Sequence, residues 1–230
     1  MTLIGGTKIN WKWALFTDDC LTVWEAKISA SEKYRPKLRE IEWKNCHLIV
    51  ASCWSTKDVD FVLNMLEAEV ILHKAKDTLG LQLQIQTVLL SSMKALKDIK
   101  EEPQYSFLIL ETTTDTLWAS EEYSLFRVGN DVEIVFGSGE QSYHQLSYKW
   151  FVRAYIEAVE ANEYCNPPIY IYRDGQMYSY EGYEWEDMLV DFLNSLDKED
   201  DDTNEWGASG QISNLWSRGW LSSQETAKLW

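Results

Sequence analysis

Residues 1–8 read MTLIGGTK. A threonine directly behind the initiator methionine has a chemical consequence. If Met1 is removed, Thr2 carries both a hydroxyl nucleophile and a free α-amine that can act as its base. The residues that follow are β-rich. LIGGTKIN, WKWALFT and CLTVWEAKI, within residues 2–28, alternate in strand fashion between polar turns. REIEWK then leads to CHLIVASCW, another apolar run of strand length.

Helical spacing takes over at residues 55–76, STKDVDFVLNMLEAEVILHKAK. Here Val59, Val62, Leu63, Leu66, Val70 and Ile71 recur on one face behind a Ser55/Thr56 cap. A second helix is predicted over 81–100, LQLQIQTVLLSSMKALKDIK, ending before Pro103. YSFLILETT and EYSLFRVGNDVEIVFG return to strand, with Gly129-Asn130-Asp131 read as a hairpin-type turn between two β runs. Gly-Ser-Gly at 137–139 breaks the chain before one long helix over 142–162, with Tyr143, Leu146, Trp150, Ala154 and Ala158 on one face. After Pro167-Pro168, IYIYRDGQMYSY reads as a hairpin turning at Arg173-Asp174-Gly175. YEWEDMLVDFLNSL, 183–196, reads as a last amphipathic helix.

The chain has 230 residues, 45% of them hydrophobic and 13% aromatic, enough for a sizeable core. Its formal net charge of −16 argues against wrapping nucleic acid, which needs clustered Lys and Arg against the phosphates. No apolar run is long enough to cross a bilayer, and no secretory signal opens the chain, so a cytoplasmic protein off the membrane is expected. Cys20, Cys46, Cys53 and Cys165 are scattered, and suggest reduced thiols rather than a disulfide framework or a zinc site. His47 and His73 stand near no obvious cysteine nucleophile, and nothing in the spacing supports a pairing of His144 with Cys165. Neither a metal nor another cofactor is expected. Residues 197–205, DKEDDDTNE, form a self-repelling acidic linker. Beyond it, 206–230 concentrates Trp206, Trp216, Trp220 and Trp230 in a tail whose ring area would fold onto the body, meet a sister subunit, or dock a protein partner.

Together with the opening residues, this order of elements resembles the proteasome β subunits and the bacterial proteasome-like peptidases of the N-terminal-nucleophile hydrolase superfamily. The resemblance covers residues 1–196 and lies in three short places. First, TLIGGTK keeps the family's run, with Gly6 and Lys8 in their slots. Asp18 follows Thr2 by sixteen positions (18 − 2 = 16), where the family has its buried aspartate, and Thr22 falls where a threonine contacts substrate backbone. Second, KLREIEW is similar to the family's lysine strand, with Lys37 in the lysine's slot if a short insertion after Trp24 is allowed. Lys33 is the competing assignment, disfavoured because EKYRPK reads as a loop. Third, VEIVFGSGEQSYHQL resembles the family's strand, Gly-Ser-Gly turn and helix, with Ser138 near the nucleophile's amine.

The resemblance implies an α+β fold, a four-layer αββα sandwich of two antiparallel sheets flanked by helices, with the tail outside it. It also implies a threonine peptidase in which Thr2 attacks the peptide bond after loss of Met1. The α-amine, titrating near ~7.7–8.0, would serve as base, Lys37 would tune it, Asp18 would orient Lys37, and backbone N–H groups would hold the oxyanion. Catalytic Thr2, Asp18, Lys37 and Ser138 with substrate-binding Thr22 make up the expected site. Self-association into rings or another homo-oligomer, acting on peptide or protein substrates, is the implied setting. The sequence departs from the family in three places, one of them Cys20, which stands where an arginine is expected between Asp18 and Thr22. The stretch that should carry the oxyanion glycine is ASCWST, where Trp54 could crowd the site. The family's supporting Asp and Ser fall on Asn162 and Cys165. These departures keep open an inactive relative that uses the fold for assembly through its Trp-rich tail.

Overall fold

A computed structural model describes residues 3–23, 26–29, 37–43, 46–72, 77–99, 101–121, 123–146, 150–163, 165 and 168–180. Met1, Thr2, Lys33, His73, the helix expected at 183–196, the acidic linker and the Trp-rich tail lie outside them.

The first sheet contains β1 (Leu3–Ile9), β2 (Lys12–Asp18), β10 (Ile134–Gly137), β11 (Ile169–Arg173) and β12 (Gln176–Tyr180), in the order β10-β1-β2-β11-β12. The second contains β5 (Leu38–Trp43), β6 (Cys46–Trp54), β7 (Tyr105–Glu111), β8 (Thr116–Glu121) and β9 (Ser124–Arg127), in chain order. Both are antiparallel throughout, and β3 (Cys20–Val23) with β4 (Ala26–Ser29) forms a separate two-stranded ribbon. Four helices are described: α1 (Thr56–Leu72), α2 (Thr78–Lys97), α3 (Glu140–Leu146) and α4 (Phe151–Ala161).

Strand alternation sorts the side chains into three cores. On β6, Ile49, Ala51 and Cys53 face the other sheet, where they meet Ile4, Trp13, Leu15 and Tyr172. Leu48 and Val50 point the opposite way, toward Val62, Leu66, Ile85 and Leu89 of α1 and α2. On β2, Trp13 and Leu15 enter the inter-sheet core while Ala14 and Phe16 pack on Phe151, Tyr155 and Val159 of α4. Two sheets buried on both faces with helices outside each make the expected αββα sandwich.

Three local readings are corrected. The Gly129 turn does form, with Val132 N–H donating to Gly129 C=O at 3.1 Å, but it makes no hairpin. β9 pairs with β8 and β10 with β1, so residues 128–133 carry the chain from one sheet to the other. Val128, buried between the sheets, anchors the crossing by donating its N–H to Leu117 C=O at 2.9 Å. The expected long helix is divided into α3 and α4, with Trp150 extended at φ −61°, ψ 143°. Tyr143 and Phe151 are eight positions apart and would be separated by about 12 Å along a straight helix. The break brings their rings to 5.5 Å in one core. Strand β8 went unrecognised, and α2 starts earlier than expected because Asp77 caps it, its Oδ1 accepting from Gly80 N–H at 2.6 Å.

Candidate active site

Asp18 closes β2 with its side chain fully buried. One of its oxygens, Oδ1, accepts from Leu3 N–H at 2.9 Å and from Lys37 Nζ at 3.0 Å. A single carboxylate oxygen therefore ties the first described residue after Thr2 to the lysine. Lys37 stands immediately before β5, its side chain 7% exposed. Its backbone is held by β6, because Ser52 donates its N–H (3.2 Å) and its hydroxyl (3.4 Å) to Lys37 C=O.

Leu3 is fixed from the helix side as well: the buried Tyr155 hydroxyl donates to Leu3 C=O at 2.7 Å. Burial, and then the carboxylate of Asp18, push the Tyr155 phenol well above its ordinary range, so it remains a donor. Gly5 makes that approach possible, since a Cβ there would lie 2.9 Å from Phe151 Cζ and 3.1 Å from the Tyr155 ring.

Ser138 enters from the third side. Gly137 pairs with Leu3 in the ladder and takes φ 118°, a left-handed conformation open to glycine. A Cβ at Gly139 would stand 3.0 Å from Leu3 Cδ1 and 3.3 Å from Cys165 Sγ. The Gly-Ser-Gly turn is thus wrapped around the start of β1. Asn162 holds it by donating Nδ2–H to Ser138 C=O at 2.9 Å, and Cys165 N–H donates to Asn162 C=O at 3.1 Å. The amide at Asn162 therefore has a task that a carboxylate could not perform, donation to a carbonyl. Neither Asn162 nor Tyr155 stood out as a site residue in the sequence. Asn162 was legible only as a departure, and Tyr155 carried no signal of its own within an apolar helix face.

Asp18, Lys37 and Ser138 are thus gathered around Leu3. Thr22 lies farther along, in β3, where its backbone pairs with Lys27. Cys53, buried at the end of β6, lies within electrostatic reach of Lys37, Asp18 and Glu140. Burial raises its thiol far above the ordinary value, which Lys37 offsets only in part. Lys8 points elsewhere, to Asp115 at 3.2 Å and over the Trp13 ring at 5.4 Å. Among the described residues, no three His, Cys, Asp or Glu side chains are grouped to hold a metal ion, and no helix is long and apolar enough to cross a membrane.

Solved structures share this architecture. Anbu, the ancestral beta-subunit, from Yersinia bercovieri superposes with a TM-score of 0.62 at 9% identity, covering 84% of this chain and 97% of that one. The fold is of the proteasome type. Anbu from Pseudomonas aeruginosa, solved as a helical assembly, gives a TM-score of 0.61 at 12% identity over 84% and 96% of the two chains. Eukaryotic HslV from Trypanosoma brucei gives 0.52 at 13% identity over 74% and 98%. At these identities the likeness to Anbu and HslV is one of fold. No protein-family model matches the sequence, and no curated protein matches it either.

Proposed function

We propose that this chain is a proteasome-like threonine peptidase in which Thr2, exposed by removal of Met1, is the nucleophile. The observation that carries this reading is the shared, buried oxygen of Asp18, which joins Leu3 N–H and Lys37 Nζ. A buried ion pair is a poor device for stability alone. The pair is tied to the residue that follows Thr2 in the sequence, which supports a role for Lys37 beside an N-terminal nucleophile. The α-amine takes the Thr2 hydroxyl proton as Oγ attacks the scissile carbonyl. Collapse of the tetrahedral adduct breaks the C–N bond, and the proton passes to the leaving amine. Water then hydrolyses the ester and restores Thr2. In this reading Lys37 favours the neutral amine, Asp18 orients Lys37, and Ser138 would stand near the amine. Thr22 would hold substrate backbone. The protein would work as a ring or another homo-oligomer, in keeping with the helical assembly of Pseudomonas Anbu.

The presence of Trp54 in the stretch where the family keeps a glycine favours a second reading, an inactive subunit that keeps the fold for assembly and engages partners through its Trp-rich tail. Intact mass separates the two. A mature chain lacking one methionine, labelled once by a β-lactone or epoxyketone probe and silenced by Thr2→Ala, establishes the peptidase. Retained Met1, or undiminished cleavage of fluorogenic peptides by Thr2→Ala, refutes it.

A further inference from the structure

Helix α2 carries leucines on two faces. Leu81, Ile85, Val88, Leu89, Met93 and Leu96 bury one of them in the core shared with α1 and the second sheet. One such apolar stripe is all that a surface helix needs to hold its place. Yet Leu79, Leu83 and Leu90 stand outside it, 65%, 60% and 48% exposed. At about 100° of rotation and 1.5 Å of rise per residue, the three fall within roughly 40° around the helix axis, in a narrow seam about 16 Å long. Gln86 lies at the border of the two faces. Its side chain donates to Tyr123 C=O and accepts from Leu125 N–H at 2.9 Å, which ties α2 to the edge strand β9 and keeps the seam turned outward.

The charges around the seam decide what it fits. Asp77 caps the helix N-terminus, and Lys94 and Lys97 occupy its last turn, all three exposed. Let a second copy of α2 lie antiparallel on the first, with Leu83 of each opposite Leu90 of the other. In that register Asp77 of each copy falls between Lys94 and Lys97 of the other, at both ends of the contact. Leu79 meets Lys94, whose aliphatic stem can cover it. The helix macrodipoles also run in opposite directions, which is the favourable sense. Parallel packing would set the two lysines against their own copies and align the dipoles. The surface therefore complements itself in the antiparallel sense alone, as a two-fold contact requires. Local pairing of this kind matters for a chain of net charge −16, because two such copies repel at long range.

We propose that the outer seam of α2 is a two-fold contact with a second copy of this chain, the helices antiparallel and Leu83 of each copy packed on Leu90 of the other. The contact rests on the self-association proposed above and is independent of hydrolysis. Sedimentation velocity of the full chain and of Leu83→Lys at matched concentrations reads it. Lysine is nearly as good a helix former as leucine, so the variant should melt cooperatively like the wild type. Its assembly should have half the wild-type mass, whether the wild type is a dimer or a larger body built across the same two-fold. Asp77→Asn keeps a capping oxygen and removes the charge, and should weaken the association about 2–5-fold. A short bismaleimide reads the register. Thr87→Cys lies beside the two-fold and should cross-link copy to copy, whereas Ser91→Cys, about 13 Å from its counterpart along the axis, should not. An unchanged mass in Leu83→Lys, or equal cross-linking at the two positions, overturns this contact and leaves self-association to another face. A wild-type chain that is monomeric at every concentration overturns both. In that case slow maleimide labelling of Thr87→Cys would give the seam to another segment of the same chain, and fast labelling would leave it bare.

Discussion

Lys37 Nζ lies 3.0 Å from Asp18 Oδ1, with side chains 7% and 0% exposed, and the same oxygen receives Leu3 N–H. Removing one member of a buried pair strands the other, at a cost of about 3–5 kcal/mol. Lys37→Met should destabilise the protein by that amount in urea unfolding. Adding Asp18→Asn should recover part of the loss, because the remaining polar group is then neutral. Peptidase activity should be lost in both variants. A loss of stability below about 1 kcal/mol for Lys37→Met would show that the pair is not buried as described.

Tyr155 supports the same strand end by donating to Leu3 C=O at 2.7 Å from a fully buried position. Tyr155→Phe keeps the ring and deletes one hydrogen bond, an expected loss of about 0.5–1.5 kcal/mol. Because Leu3 directly follows Thr2, the nucleophile of the proposed peptidase, turnover should fall as well. Thermal unfolding and peptide hydrolysis measured on the same preparation check both effects. Unchanged stability together with unchanged rate would remove Tyr155 from the site.

The pairing of Asp18 with Lys37 was legible, and the contacts that support it were not. The sixteen-residue step from Thr2 to Asp18 and the Lys37 strand are linear spacings, which a resemblance can carry. Tyr155 reaches Leu3 across 152 residues, and nothing near it in the chain announces that contact. The turn at Gly129 has the same local signature whichever sheet the next strand joins, so only the pairing of β10 with β1 shows the crossing. The division of α3 from α4 serves a ring contact between Tyr143 and Phe151 that helical periodicity cannot express. The sequence marked Trp54 only as a residue that could crowd the site, and its place in the packing was not legible. Strand alternation assigns it to the helix face, and its positive φ reverses that assignment.

Buried thiols set an alkaline limit on stability. Burial, and then Glu111, push the Cys46 thiol up from 9.0 to about 11, so in the window between these values the unfolded chain has lost a proton that the folded chain keeps. The unfolded state then binds fewer protons, and stability must fall as pH rises through the window. Below pH 9 the contribution is fully present. Cys46→Ala should flatten the decline between pH 9 and 11 in denaturant titrations. A wild-type curve with the same slope as the variant would assign the decline to other groups.

The turn joining β1 to β2 offers a gain in stability. Asn10 and Trp11 take φ 47° and 63°, positive at both central positions as a type I′ hairpin turn requires. Asp174 and Gly175, joining β11 to β12, take φ 47° and 81° with the residues that this turn prefers. Trp11 is 85% exposed, so its ring has little packing to lose, and left-handed backbone penalises its Cβ. Trp11→Gly should therefore stabilise the protein by about 0.5–1 kcal/mol after the added freedom of the unfolded chain is counted. Gly175→Ala supplies the converse, since a Cβ there meets nothing within 4 Å and the cost, about 1 kcal/mol, is one of backbone alone. Urea unfolding of both variants reads the two effects on one scale. If Gly175→Ala costs its full amount while Trp11→Gly brings no gain, the exposed indole contributes a contact that offsets the strain beneath it.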